Sequence, residues 1–470
     1  MADDPEQKAI NRLISRWEGK KDNSPVVQET RATRDKNRMT VSEPRSNADA
    51  PTKGVEFVKE TLNTPVIDSC DVLIIGGGPA AKRMGAGDRK WAFNDSECLD
   101  TENFKFIADE LLATAGARSL LHTHFVDAVM DGKKITGVVV ESKSGRGVIR
   151  AKRVVDCSGD ADVAARSGAR FTKLSREHSM GLTTVFNMLG VDKEKFLGHI
   201  DKNPATYKDW SKTWQQDTTG KEDSLKSPYM QDEFADVNKE VKQEGKPLSF
   251  GGSWSAITDK GEATNLNLVH LKGFDPLSAK DLTKAEITGR QGVMKAVKAL
   301  KDTIPGFEDA KLRNIAMTMG IRDSRKIVGK YNLTGRDVAS QAKFADTIGV
   351  FPEFIDGYNI LILPTSGRFF EVPYGCLLPD TENLLVAGRC CAGDMVSHAA
   401  MRNMMACTVT GQGAGTAAAV GVIHDQDASS IDIKLVQKEL VRQGVNIHGY
   451  KGAGVEWAEG LAKAATSSKM

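Results

Sequence analysis

The stretch from Asp71 to Glu97, DVLIIGGGPAAKRMGAGDRKWAFNDSE, begins as a nucleotide-binding unit. Its apolar run DVLII leads directly into glycines. In a strand-to-helix turn the first glycine permits the tight bend, the second lets the backbone approach a pyrophosphate, and a small third residue lets helix and strand pack closely. Gly76, Gly78 and Ala81 occupy these positions. The first half of the stretch therefore predicts a nucleotide-binding turn, and the alternative is a tight turn that binds nothing.

Composition limits the classes of protein to consider. The chain has 470 residues, 40% hydrophobic and 27% charged, which suffices for two or three domains with buried cores. Its 64 basic and 62 acidic residues nearly balance, so we expect no nucleic-acid partner. The seven cysteines lack a CxxC or Cys/His spacing, so we expect reduced thiols and no metal site. The adjacent Cys390 and Cys391 are interpreted as small buried side chains rather than a strained disulfide.

The N-terminal sequence MADDPEQK lacks a cationic and apolar leader, and nowhere do about eighteen apolar residues follow one another. These features predict neither secretion nor a membrane span and favour the cytoplasm. Residues 1–52 are polar and charged with almost no apolar periodicity, which predicts a disordered tail.

Periodicity and turn signals predict the ordered elements. Residues 104–116 predict a helix with a glycine cap, and residues 120–162 predict a β-meander followed by a return strand. A strong helix is predicted over 284–302 and a last helix over 431–444.

Several distant segments together resemble the FAD-dependent oxidoreductase family, related to flavoproteins of the fumarate reductase and glutathione reductase type. They are IIGGGPA, HFVDAVMDGKKITGVVVES, IRAKRVVDCSGDADVAARSGA, GIRDSRKIVGKYNLTGRDV and the block from VPYGCLLPD to GQGAGTAAA. The resemblance covers residues 68–445. It implies an α/β fold, a Rossmann-like FAD/NAD(P)-binding domain of the glutathione reductase type with an inserted α+β substrate lobe. The expected divisions are a tail over 1–52, a discontinuous FAD-binding domain over 68–168 and 370–428, a substrate lobe over 169–369, and a C-terminal helix and tail over 429–470.

The same resemblance implies which residues hold the cofactor, which we expect to be FAD rather than FMN because the turn suits a pyrophosphate. Asp394 would accept hydrogen bonds from the ribityl hydroxyls, and the start of the following helix would face the flavin. Simple core packing is the alternative for that helix. The expected cofactor-binding residues are Gly76, Gly78, Pro79, Ala80, Ala81, Asp95, Val126, Gly159, Asp394, Met404 and Met405.

We predict three residues in the reacting site, His398, Arg402 and Arg322. A guanidinium can hold a carboxylate or carbonyl while an imidazole moves a proton. The alternatives are a structural hydrogen bond for His398 and salt bridges for the arginines. Tyr374 is a further candidate, with burial in the core as the favoured role.

The second half of the opening stretch departs from the family pattern. The fold requires a helix after the glycine turn and then a second strand ending in an acid that binds the ribose, about 20 residues on. The chain offers AAKRMGAGDRKWAFNDSE instead, where Asp95 is the one carboxylate at a suitable distance. This departure indicates a missing internal segment after Ala81.

Three hypotheses follow. The first is an FAD-dependent oxidoreductase that transfers a hydride between flavin and a small organic substrate, with an unknown electron donor or acceptor. The second is a degenerate family member that has lost part of the FAD site and is inactive or acts as a binding protein. The third is a nicotinamide-dependent dehydrogenase, against which the predicted ribityl contact of Asp394 argues.

Overall fold

The computed structural model describes residues 39–41, 63–77, 101–202, 215–216, 249–250, 256–257, 260–358, 360–362 and 368–447. The strands are β1 Met39–Val41, β2 Val66–Ile75, β3 Thr123–Asp131, β4 Lys134–Ser142, β5 Gly145–Asp156, β6 Phe171–Leu174, β7 Leu182–Leu189, β8 Gln215–Gln216, β9 Ser249–Phe250, β10 Ala256–Ile257, β11 Ala263–Leu271, β12 Lys311–Ile315, β13 Lys326–Ile327, β14 Thr347–Pro352, β15 Ile355–Gly357, β16 Ile360–Ile362, β17 Phe369–Pro373 and β18 Leu384–Val386. The helices are α1 Thr101–Thr114, α2 Asp162–Arg166, α3 Lys193–Lys202, α4 Ala279–Thr303, α5 Gly335–Ala339, α6 Met395–Met401, α7 Met404–Ile423 and α8 Ile433–Arg442, with a 3₁₀ turn at Tyr374–Leu377.

Strand β5 organises the sheet that positions the site. Strand β2 runs parallel to β5 along one edge, while the opposite edge pairs with antiparallel β4 near the start of β5 and with parallel β18 near its end. The meander is as predicted, but the return strand is the continuation of β5 rather than a separate strand. Valines and leucines at the end of β5 and in β18 are buried, as strands covered on both faces require.

Strand β2 lies at the edge of this sheet. In the described residues it pairs with β5 alone. Its side chains are largely accessible, including Ile74, which is 43% exposed. A second parallel strand is expected at this edge, and residues 78–100, where the sequence predicts a missing segment, lie outside the described residues.

The first hydrophobic core combines both predicted parts of the FAD-binding domain. It contains residues from 135–169 and from 327–447. Helix α7 packs on β14, β5 and β2 through small residues. A Cβ on Gly413 would lie 2.5 Å from Cδ1 of Ile348, so the helix approaches the sheet as closely as glycine permits. The buried small residues of α7, among them Gly413, Ala414 and Ala417, are therefore used for packing.

A second core lies in the middle of the chain. Strands β7, β9, β10, β11 and β12 form one sheet, against which α4 packs. This core draws on residues 182–319, whereas the lobe predicted from sequence extends over 169–369. Within the described part of the chain, no helix combines the length and apolar character needed to cross a membrane.

A third, small sheet joins the N-terminal segment to the rest of the molecule. Strand β1 pairs with β6, and β6 pairs with β13. Residues 39–41 thus form a strand inside the region predicted as a disordered tail, because they find a partner that local composition does not indicate. The rest of the predicted tail, from residue 1 to 52, lies outside the described residues.

Candidate FAD-binding and active site

Three neighbouring parallel strands, β2, β5 and β18, have their carboxyl ends side by side at one end of the main sheet. Ile75 of β2 and Val386 of β18 both pair with Asp156 of β5. Each strand is followed within three residues by a glycine with positive φ, +112° at Gly76, +82° at Gly159 and +88° at Gly388. In open α/β sheets ligands bind outside the carboxyl ends of the strands. The carboxyl ends of these three strands are therefore the candidate nucleotide site.

Gly76, at the described start of the glycine turn, lies very close to the backbone after β5, as expected for a turn that binds a pyrophosphate. An ideal Cβ on Gly76 would lie 2.3 Å from the carbonyl oxygen of Cys157 and 3.0 Å from the nitrogen of Ser158. No larger residue is compatible with this contact. The remaining predicted residues of the turn and its ribose acid lie outside the described residues, namely Gly78, Pro79, Ala80, Ala81 and Asp95.

Asp156 shapes the loop that Gly76 contacts. Its buried carboxylate accepts hydrogen bonds from Ser158 N at 3.0 Å, from Ser158 Oγ at 2.6 Å and from Ala164 N in α2 at 3.0 Å. Burial raises the pKa of Asp156, which these hydrogen bonds oppose. Asp156 is not among the site residues predicted from the sequence, although an acid at the end of the predicted return strand was a signal for it. Val126 lies in β3 at an irregularity of the β3–β4 pairing, and β3 contacts α2.

Asp394 caps two helices at once. Its Oδ1 accepts from Ser397 N of α6 at 2.8 Å, and its Oδ2 accepts from Gly335 N of α5 at 2.9 Å. Burial raises the pKa of Asp394. The carboxylate thus has a structural role in this arrangement, and its contact with a ribityl chain stays a prediction.

The start of α7 presents two exposed methionines, Met404 and Met405. The residue before them, Asn403, makes no side-chain cap on α7 because its amide donates to Ala399 O and Ala400 O of the preceding helix. The first turn of α7 is therefore not capped by Asn403. Contact of this turn with a flavin stays a prediction.

Arg322 and Arg402 share one carboxylate. Arg402 Nη2 lies 2.6 Å from Oδ2 of Asp356, and Arg322 Nη2 lies 3.4 Å from both Asp356 oxygens. Burial alone would raise the pKa of Asp356, but the charges of Arg402 and Arg322 outweigh it and hold that pKa below its usual range. Burial and the charge of Arg402 lower the pKa of Arg322 to about 10, so Arg322 stays cationic at neutral pH. Two of the predicted catalytic residues are therefore brought together by Asp356, for which the sequence offers no signal.

His398 lies in a second buried cluster beside this one. Its Nε2 donates to the carbonyl oxygen of Arg322 at 3.1 Å, which leaves Nδ1 as the acceptor of a neutral ring. Nε2 is also 3.7 Å from Asp323, whose carboxylate pairs with Lys326 and accepts from Tyr358. Burial and the charge of Lys326 lower the pKa of His398 to about 3. His398 is thus connected to Arg322 through the backbone, and its proton transfer stays a prediction.

Two other sequence interpretations concern buried side chains. Cys390 and Cys391 are buried free thiols whose Sγ atoms donate to Ala387 O and Val386 O, which confirms their interpretation as small core residues. Tyr374 is buried, and its hydroxyl donates to Ala428 O at 2.8 Å, so it also belongs to the core.

Comparison with known proteins identifies the family. The family model described as FAD dependent oxidoreductase matches residues 80–440. A search of the curated proteins found no match. Among solved structures, the chain is similar to a geranylgeranyl bacteriochlorophyll reductase-like protein from Thermoplasma acidophilum, with 12% identity, coverage of 80% of this chain and 84% of that chain, and a TM-score of 0.38.

Two further structures match over a smaller share of their own length. They are p-nitrophenol 4-monooxygenase PnpA from Pseudomonas putida DLL-E4, with 10% identity, 72% and 57% coverage and a TM-score of 0.32, and L-proline dehydrogenase from P. horikoshii, with 10% identity, 72% and 58% coverage and a TM-score of 0.27. The chain thus spans little more than half of these two proteins. On the family match, this chain belongs to the FAD dependent oxidoreductase family, with FAD as its cofactor and a Rossmann-like FAD-binding fold.

Proposed function

We propose that this oxidoreductase transfers a hydride between FAD and a small organic substrate that carries a carboxylate. The observation that carries the proposal is the pair of buried arginines on one aspartate. Arg322 and Arg402 contribute two positive charges, and Asp356 supplies one negative charge. Among the described residues, one buried positive charge is therefore left without a partner, which is costly. A carboxylate of the substrate would balance this charge and would be stabilised by the two arginines.

The chain's own residues supply binding and orientation. Arg402 is held by Asp356 through its side chain and through the Asp356 carbonyl oxygen, which accepts from Nε at 3.0 Å. Arg322 makes the longer contacts with that carboxylate, so it is the guanidinium more easily redirected to a substrate. His398 holds the Arg322 backbone, and its Nδ1 is the atom at which a proton would be accepted.

FAD, when bound, supplies the two-electron acceptor or donor for the hydride. In the oxidation direction the substrate would lose a hydride and a proton, and in the reduction direction it would gain both. We assign the discontinuous domain of residues 68–168 and 370–428 to FAD and the middle of the chain to substrate, in a cytoplasmic protein.

The test uses the FAD-loaded protein under anaerobic conditions. We expect small hydroxy or amino acids to bleach the visible absorbance of oxidised flavin, or the corresponding keto or imino acids to restore it after reduction, and we expect their methyl esters to fail. Arg322→Met should raise the half-saturating concentration of the acid by about tenfold or more. The matched control is Arg313→Met, which removes a more exposed arginine paired with Glu262. Equal reaction of acids and esters would contradict the proposal.

A second candidate function is a family member with a weakened FAD site that is inactive or serves as a binding protein. It is supported by the edge position of β2, which pairs with β5 alone in the described residues. The ratio of FAD to protein after purification separates the two, because the first function requires FAD retention and the second permits its absence.

A further inference from the structure

Arg389 joins three segments at the carboxyl end of β5. Its Nη2 lies 2.8 Å from Oδ1 of Asp160, and its Nη1 donates to Oγ of Ser324 at 3.1 Å. The Ser324 hydroxyl in turn donates to the same Asp160 oxygen. The side chains of Arg389 and Asp160 are 15% and 16% exposed. The ion pair is therefore mostly buried but still accessible to a ligand.

The guanidinium of Arg389 packs on Gly159. An ideal Cβ on Gly159 would lie 3.0 Å from Nη2 and 3.6 Å from Cζ of Arg389. Cys157, two residues earlier, carries the carbonyl oxygen that lies 2.3 Å from the ideal Cβ of Gly76. The positive charge of Arg389 therefore lies beside the loop after β5, and Gly76, the first glycine of the pyrophosphate turn, packs against the same loop.

We propose that Arg389 binds the pyrophosphate of FAD, that Ser324 positions its guanidinium, and that Asp160 is the counter-ion which balances the charge of Arg389 and competes with the phosphate. The planar guanidinium matches phosphate oxygens through paired hydrogen bonds. Asp160 neutralises Arg389 when no phosphate is bound, which keeps the buried cation paired.

A second arginine at the same loop, Arg325, has different partners from Arg389. Arg325 donates from Nε to the Asp160 carbonyl oxygen at 2.8 Å and pairs with Asp162. Its guanidinium packs over the ring of Phe171 in β6, 5.5 Å from the ring centroid. Arg325 therefore supports the loop while it is engaged with the small sheet that contains β6, and it serves as a matched control.

The experiment titrates the full-length apoprotein with FAD and with riboflavin, which lacks phosphate, and follows flavin fluorescence at two salt concentrations. We expect Arg389→Gln to weaken FAD binding by about tenfold or more and to leave riboflavin binding within about twofold. The salt dependence of FAD binding should also become weaker, because a screened charge contact is removed.

Asp160→Asn gives the opposite sign. The amide oxygen can still accept from Ser324, but a negative charge beside the phosphate site is removed, so FAD should bind about threefold tighter or more while riboflavin is unchanged. A merely structural ion pair would make this variant bind FAD more weakly. If Arg389→Gln fails to fold, the sign of the Asp160→Asn effect alone decides.

Two results would overturn the proposal. One is equal weakening of FAD and riboflavin by Arg389→Gln in a protein that still folds, as judged by circular dichroism. The other is weaker FAD binding in Asp160→Asn. The control Arg325→Gln should change FAD and riboflavin binding by the same factor, and a loss confined to FAD would assign the phosphate contact to Arg325 instead.

Discussion

The ammonium group of Lys326 lies 2.7 Å from Oδ1 of Asp323, and both side chains are almost completely buried. Burial alone would raise the pKa of Asp323, but the charge of Lys326 and the hydrogen bonds from Lys326 and Tyr358 outweigh it and lower that pKa to about 2. Lys326 belongs to β13, and Asp323 directly follows Arg322 in the chain. The pair therefore ties the segment that carries Arg322 to the small sheet of β6 and β13.

Replacing Lys326 by methionine should strongly destabilise the protein. Lys326→Met leaves Asp323 buried without its cation, which costs about 3–5 kcal/mol of the free energy of unfolding. The measurement is chemical denaturation at neutral pH. The double variant Asp323→Asn/Lys326→Met should recover part of the loss, because it removes the unpaired charge as well.

The control for this prediction is an exposed ion pair in α4. Lys298 pairs with Asp302, and its side chain is 71% exposed. Lys298→Met should change the free energy of unfolding by less than about 0.5 kcal/mol. A small effect of Lys326→Met, similar to that of the control, would show that Asp323 finds another partner or becomes protonated at little cost.

Acidification should begin to destabilise the protein at a pH well above the range in which carboxylates titrate. Burial lowers the pKa of both His270 and His398 from 6.5 to about 3, so the folded state keeps these rings neutral while the unfolded state binds protons below about pH 6.5. The unfolded state thus gains from acid, and each histidine should lower the free energy of unfolding by about 1.5 kcal/mol between about pH 6.5 and pH 5.

Denaturant titrations at several pH values test this slope. Asp323 contributes in a different window, since its stabilisation is present above about pH 4 and is lost as the pH falls toward 2. His398→Asn should remove about half of the slope between about pH 6.5 and pH 5, whatever its effect on stability at neutral pH. An unchanged slope in this variant would mean that His398 is accessible to protons in the folded state.

Local elements of the fold were predictable because short-range rules specify them. The helix predicted over 104–116 is observed as α1 with Gly116 at φ +70°, and the last helix is observed as α8 with Gly444 at φ +82°. Both glycines follow an apolar period of 3.6 residues, which is the usual signature of a helix end. Capping and periodicity thus carried these predictions.

Contacts between distant segments were not predictable in the same way. Asp356 joins Arg322, which is 34 residues away, and Arg402, which is 46 residues away, and no periodic pattern links them. The capping role of Asp394 was also hidden, because Gly335 belongs to a helix 59 residues earlier in the chain. A single sequence indicates candidate residues for a site, but tertiary packing decides which of them share a partner.

Thiol labelling should distinguish the buried cysteines from Cys70. Burial raises the pKa of Cys390 and Cys391 well above the usual value and leaves them as unreactive thiols, whereas Cys70 is only half-buried. We expect iodoacetamide to label Cys70 in the native protein and to label Cys390 and Cys391 only after denaturation. Peptide mass spectrometry measures this. Native labelling of Cys390, or a mass loss that indicates a vicinal disulfide, would contradict the burial of this pair.

The glycine turn provides a sharp test because two adjacent glycines differ in their surroundings. Gly76 has φ +112°, and a Cβ there would collide with the carbonyl of Cys157, whereas a Cβ on Gly77 meets no atom within 4 Å. Gly76→Ala should lower the free energy of unfolding by about 1–3 kcal/mol, since it is strained whatever space surrounds it. It should also weaken FAD binding, because relief of the clash moves the backbone away from residues 157–159. Gly77→Ala, the matched control, should retain both stability and FAD binding, measured by denaturation and by flavin fluorescence. Equal losses in both variants would show that the turn needs glycine for backbone flexibility rather than for its contact with Cys157.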